Sequence, residues 1–328
     1  MTRYALLWLL LALWTGSRPV TLTYPSGWPR PVYDFEKYPL TREGIALGRR
    51  LFYDPVLSAD STVSCSSCHL SYTAFTHTDH PRSHGIGDRV GRRNAMALQN
   101  LAWSAAFMWD GAVPHLNFQA LAPIHDSLEM GSDIRKVIHR LEGSATYRRH
   151  FTRAFGSPGI TTPRLLRALA QFELSLVSAS APYDRIMAGR DTFTAQEARG
   201  YQLFRDYCNR CHTEPLFAGN SFEQNGLPPD PTLMDWGRMR VTGQPADSLR
   251  FKVPSLRNIA HSQPYMHDGR FTRLKDVLAH YTSRPALFGG HALTAPERVE
   301  LTAFLLTLTD RDFLFNPQHA FPRSNTHN

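Results

Sequence analysis

Cys65-Ser66-Ser67-Cys68-His69 is the stretch on which the reading of this chain turns. In a C-x-x-C-H pattern the two thiols add across the vinyl groups of a haem, and the adjacent imidazole reaches the iron from the proximal side. Cys208-Asn209-Arg210-Cys211-His212 repeats the pattern, and the two copies use all 4 cysteines of the chain. Zinc is the poorer reading, because no second C-x-x-C or H-x-x-x-H stands near either copy to complete a tetrahedral site. A dithiol redox pair would not require a histidine after each pair of cysteines. Two covalent c-type haems are therefore expected, one on Cys65, Cys68 and His69, the other on Cys208, Cys211 and His212.

At 328 residues the chain has room for about two domains of ordinary size. A hydrophobic share of 42% and a charged share of 20% exclude disorder and allow a sizeable core. The formal charge of +8 fits an acidic redox partner, an anionic membrane surface, or a basic surface spread for solubility. No run of Lys and Arg and no aromatic stacking motif points to nucleic acid, and none is expected as a partner.

Residues 1–17 read as an export signal. Arg3 supplies the positive charge, Ala5 to Trp14 the apolar stretch, and Thr15, Gly16 and Ser17 the small residues for cleavage. The stretch is short for a spanning helix of about 20 apolar residues, so a cleaved signal is read ahead of an uncleaved anchor. Export agrees with the haem motifs, since bacteria attach haem covalently outside the cytoplasmic membrane. A periplasmic protein is expected.

Ser26 to Pro39 reads as an extended lead-in rich in Pro and Tyr. Thr41 caps a helix whose apolar face, Ile45, Leu47, Leu51 and Phe52, runs up to Asp54-Pro55. From Tyr72 to Arg93 the pattern is irregular, with Gly85, Gly87 and Gly91 among His77, His80 and His84, as in a loop that lines a distal pocket or binds an ion. Helical periodicity is read at 94–107, at 116–121, and from Pro163 to Val177 with Thr162 as cap. Ser178 to Asp191 carries the Ala, Ser, Pro and Gly of a boundary. Thr194 then caps a helix over 195–207 that runs into the second motif, echoing the first. A loop-like segment follows from Glu214 to Lys252, and helices return at 274–281 and 295–308. Clear period-2 alternation is hard to find, so the fold class is mainly α with long loops.

Further motifs add a family resemblance. Leu47-Gly48-Arg49-Arg50-Leu51-Phe52-Tyr53-Asp54-Pro55, Gly91-Arg92-Arg93-Asn94, Trp109-Asp110-Gly111, Leu128-Glu129-Met130-Gly131, Pro254-Ser255-Leu256-Arg257-Asn258 and Pro264-Tyr265-Met266-His267-Asp268-Gly269 resemble those of bacterial di-haem cytochrome c peroxidases and their MauG-type relatives. The latter include the enzyme that matures a tryptophan-derived quinone in methylamine dehydrogenase. The resemblance covers about 38–310. It implies two cytochrome-c-like domains, each binding one covalent haem: an N-terminal peroxidatic domain over 26–180 and a C-terminal electron-transfer domain over 181–316, with 317–328 as a tail. It also allows a homodimer.

The same resemblance implies roles. Peroxide reduction needs an iron with an open distal position and a base that moves a proton from the near to the far oxygen. By match, Glu129 is that acid–base residue, Gln119 and Pro123 belong to the distal pocket, and Trp109 bridges the haems. Many relatives carry a distal histidine that swings away on reduction. His84 is the nearest candidate for that iron ligand, with His77 and His80 as competitors. Opposite His212 the peroxidases usually place a methionine, whereas the corresponding position here is Tyr281, as in MauG-type proteins. Met266, an alternative ligand, then becomes a packing or haem-edge residue. A calcium ion is implied at the domain interface, on the Asn94 side chain and the Ser262 and Pro264 carbonyls.

The expected function is reduction of hydrogen peroxide with electrons from a small periplasmic protein, a cytochrome c or a cupredoxin. Two alternatives stand beside it: a MauG-type oxidase acting on a protein or small-molecule substrate through a high-valent haem, and a non-catalytic di-haem electron carrier.

Overall fold

The structure, a computed structural model, describes residues 17–322. Nearly all of the expected signal, and residues 323–328 of the expected tail, lie outside the described residues. Within them the chain is helical and loop-rich, and its paired strands form short two-stranded ribbons: Pro19–Val20 with Leu40–Thr41, and Phe222–Gln224 with Arg250–Lys252. The mainly α expectation is borne out.

Each C-x-x-C-H follows a helix that lies against a second helix later in the chain. Arg42–Tyr53, capped by Thr41 on the Gly44 amide, packs along Thr162–Leu174. Ala195–Tyr207 packs along Ala295–Leu306, and both begin with a capping box, Thr194 with Glu197 and Thr294 with Glu297. The closest approach is made the same way in both pairs. A Cβ on Gly48 would stand 1.9 Å from the Ala168 carbonyl oxygen, and one on Gly200 would stand 1.9 Å from that of Glu300. Below these glycines lie Phe172 and Phe304, each on the helix that the glycine faces.

Two apolar cores result. One gathers Leu47, Leu51, Phe52, Phe75, Phe151, Leu165 and Leu169, and the other Phe204, Phe217, Leu301, Phe304 and Leu308. Phe313 and Leu314 cross back to the first core, and the chain after them lies on Arg42–Tyr53. There the Arg49 guanidinium donates to the Pro317 and Ala320 carbonyls, and the Tyr53 hydroxyl to that of His319 (2.6 Å). A third core of Trp28, Leu40, Ala102, Trp103, Phe107 and Leu174 is covered by the lead-in.

Buried polar groups fasten the segments around the two helix pairs. Arg257 is fully buried and donates to both carboxylate oxygens of Asp184 (2.8 and 2.7 Å). Asn258 donates to Gln99, and Gln99 returns a bond to the Arg257 carbonyl (2.6 Å). Arg93 pairs with both Asp110 and Asp235.

Several elements depart from the sequence reading. The stretch 94–107 is irregular apart from a short 3-10 turn at Leu101–Trp103, because its backbone bonds are made elsewhere. The Asn94 amide donates to His267 and that of Asn100 to Leu176, and the apolar residues between them line a cavity. Ala120 splits 116–121 into Leu116–Gln119 and Leu121–His125. The helix expected from Pro163 is Thr162–Leu174, with Thr161 as its cap residue. Ile134–Gly143, Ala145–Phe155 and Pro182–Met187 are helices that the sequence reading passed over.

Candidate active site between the two motifs

Both C-x-x-C-H motifs open onto one cavity of about 820 Å³. Its wall takes Cys68 and His69 from the first copy, and Cys208, Cys211 and His212 from the second. Cys65 packs against the first core instead. In each copy a single turn brings the histidine back over the first cysteine: the His69 amide donates to Cys65 O (3.0 Å), and that of His212 to Cys208 O (2.9 Å).

The histidines are set up as ligands. His69 Nδ1 donates to the Phe75 carbonyl (2.7 Å) and His212 Nδ1 to the Pro254 carbonyl (3.0 Å), the kind of backbone bond that orients a ligating imidazole. Burial lowers both imidazoles, His212 to about 4, so both rings are neutral, as iron ligands must be. Burial also raises the thiols, Cys68 to about 11 and Cys208 to about 12. The residues present therefore fit two haems.

Glu129 lies on the same wall as His69, with Gln119 and Pro123. Its backbone is clamped by the glycine loop: Ile86 N donates to Glu129 O (2.8 Å), and a Cβ on Gly85 would fall 2.1 Å from Leu128 O and 2.3 Å from Glu129 O. Burial, and then the Asp126 carboxylate, raise the Glu129 carboxyl to about 7. Gln119 Nε2 donates to Met108 Sδ (3.5 Å).

His84 is not brought together with these groups. Its carbonyl takes the Cys68 thiol (3.7 Å), but its ring stacks on His80 at 4.2 Å, and His80 stacks on His77 at 5.2 Å; none of the three is a wall residue. Tyr281 does line the cavity, beside Cys208, Cys211 and His212. Burial, then the neighbouring cysteines, push its phenol up to about 12, so the phenolate forms there only against a cation. Met266 is also on the wall.

Trp109 is a wall residue whose Nε1 donates to Asn94 O (2.9 Å) and whose carbonyl accepts Lys252 N (2.7 Å), so it touches both halves of the chain. Asn94, Ser262 and Pro264 share the wall. No cluster of three or more His, Cys, Asp or Glu fit for a metal occurs among the described residues.

Among the wall residues that escaped the sequence reading are Lys252, Trp103 and Tyr207. Lys252 is buried, with Nζ donating to Gly219 O (3.3 Å), and burial alone lowers it to about 8. Trp103 and Tyr207 carried no signal beyond aromatic character.

Two covalently held haems in a mainly α chain define a di-haem c-type cytochrome. The family model for di-haem cytochrome c peroxidase matches residues 42–192. The methylamine utilization protein MauG of Methylophilus methylotrophus is 35% identical over 279 residues, 82% of this chain and 81% of that protein. Cytochrome c551 peroxidase of Nitrosomonas europaea is 35% identical over 268 residues, 80% and 79% of the two chains. The crystal structure of a MauG-like protein associated with microbial copper homeostasis superposes with a TM-score of 0.84 at 31% identity, over 92% of this chain and 99% of that one. The chain belongs to the di-haem cytochrome c peroxidase/MauG family and is a peroxidase-like oxidoreductase with two c-type haems.

Proposed function

We propose that this enzyme reduces hydrogen peroxide to water in the periplasm, with electrons from a small redox protein of the cytochrome c or cupredoxin kind. The observation that carries the reading is Glu129, a half-buried carboxyl raised to about 7 on the wall that His69 shares. Cys65, Cys68 and His69 would hold a haem, which would supply the iron needed for cleavage of a peroxide bond. Glu129 takes the proton from the near oxygen and returns it to the far one, so that the latter leaves as water. Gln119 and Pro123 confine that space. Trp109 passes electrons from the half that carries Cys208, Cys211 and His212. Lys252 would supply a buried positive charge to the wall, and Asn94, Ser262 and Pro264 would hold a calcium ion. Residues 1–17 direct export. No ligand role is assigned to His84.

Glu129→Gln should keep both haems and slow peroxide turnover by roughly 10²–10⁴-fold, the usual effect of losing an acid–base group. In the unmutated enzyme kcat/KM for peroxide should fall as pH drops below about 7, because Glu129 must be ionised to accept the proton. Steady-state rates across pH decide it; unchanged turnover in the variant removes Glu129 from the chemistry.

A second reading rests on Tyr281. A phenolate on the second iron is a hard anionic donor that favours the oxidised metal. It would turn the enzyme toward oxidation of a protein or small-molecule substrate, in the manner of MauG-type proteins. In that case Tyr281→Phe should change the ferric spectrum, and Tyr281→Met should raise the potential of one haem in a redox titration. An unaltered spectrum and potential in Tyr281→Phe would leave this residue as packing.

A further inference from the structure

The lead-in and the residues just before it have no part in the site described so far, yet they cover an aromatic wall residue. Trp103 lines the cavity between the two motifs, is 5% exposed, and turns its far side to the lead-in. Tyr24 meets it edge-on at 5.2 Å and Trp28 at 5.1 Å. Tyr24 is half-buried, so its ring connects Trp103 to solvent, whereas Trp28 is buried.

We propose that Trp103 and Tyr24 form an electron-entry path, with Tyr24 as the site where an outside one-electron donor is oxidised. This rests on the peroxidase reading. Reduction of one peroxide consumes two electrons and two protons and yields two waters, so two donor molecules each give up one electron. In each transfer Trp103 yields an electron to the oxidised centre in the cavity. Its Nε1 proton stays in place, because the partner is the Pro29 carbonyl (2.8 Å), an oxygen too weakly basic to take it. Tyr24 then refills Trp103 and releases its phenolic proton to water. The donor restores Tyr24, which recovers a proton from solvent. Trp28 is a poor stop on this path: the Arg257 guanidinium lies 4.7 Å from its ring centroid and disfavours a positive charge there. The branch through Tyr24 has no cation over it that the structure records, and it is the one that reaches water.

The test is to treat the ferric holoprotein with hydrogen peroxide in the absence of donor, in the presence of a nitrone spin trap, and to map the adducts by peptide mass spectrometry. The expected result is an adduct on Tyr24 that is lost in Trp103→Phe and kept in Trp28→Phe. Tyr24→Phe should retain both haems and their ferric spectrum while losing the adduct. Persistence of the Tyr24 adduct in Trp103→Phe overturns the path. So does labelling confined to Tyr207, which also lines the cavity and stacks on His291. Peroxide consumed with Tyr24 unlabelled overturns the path and leaves the peroxidase reading standing; peroxide left unconsumed overturns both.

Discussion

Glu173 stands near the first motif on the helix Thr162–Leu174, and burial alone raises its carboxyl to about 8. Its charge, were it ionised, would push the Cys65 thiol further up, so a protonated Glu173 suits a neighbour that carries haem. The unfolded chain ionises this group near 4.5 and the folded chain near 8. Between those values the native state holds the extra proton, so stability falls as pH rises through the window, by up to ~1.4 kcal/mol per pH unit. Above it both states are ionised and the fall from this group stops. Glu173→Gln should flatten the decline in melting temperature between those two values, and an undiminished slope in the variant would show that the carboxyl titrates normally. Neither the raised Glu173 nor the buried Lys252 was legible in the sequence. A lone Glu in an amphipathic helix and a lone Lys at the end of a loop look like surface residues until the fold closes over them.

The two helix pairs show how an element-level repeat is held. Gly48 and Gly200 let backbone meet backbone, and a methyl at either place would strike a carbonyl oxygen that no side-chain rotation can remove. Gly48→Ala and Gly200→Ala should therefore each cost ~1–3 kcal/mol, the usual range for overpacking, with the haems still attached. Thermal melts of the two holoproteins measure it, and a melting point unchanged in either would mean that the helices separate freely. The helices next to the motifs were legible because Thr41 and Thr194 cap them and their apolar stripes are regular. Ile134–Gly143 and Ala145–Phe155 were not, since they bury a narrow stripe of Val137, Leu141, Tyr147, Phe151 and Ala154 between many basic residues. The opposite error came at 94–107, where apolar residues at near-helical spacing face a cavity rather than a helix groove.

At the scale of the molecule, two cores and one shared cavity separate the roles of the motifs. Cys208→Ala with Cys211→Ala should yield a protein with one covalent haem, still on Cys65 and Cys68, because the first core is built from other residues. Intact mass and haem stain read the number, and the loss of both haems would mean that the second site is required for the first to form. What the sequence alone determined is the covalent chemistry: two C-x-x-C-H motifs, each with a histidine locally bound to follow its cysteines, and a mainly helical chain around them. Short-range patterns suffice for that, because attachment needs neighbours in sequence. The tertiary structure alone decided which distant groups share one space. Glu129, Trp109, Trp103, Lys252 and Tyr281 come to a common wall from widely separated segments. The pKa shifts of Glu129, Lys252 and Tyr281 arise chiefly from burial, a property of the packed whole that no stretch of residues carries by itself.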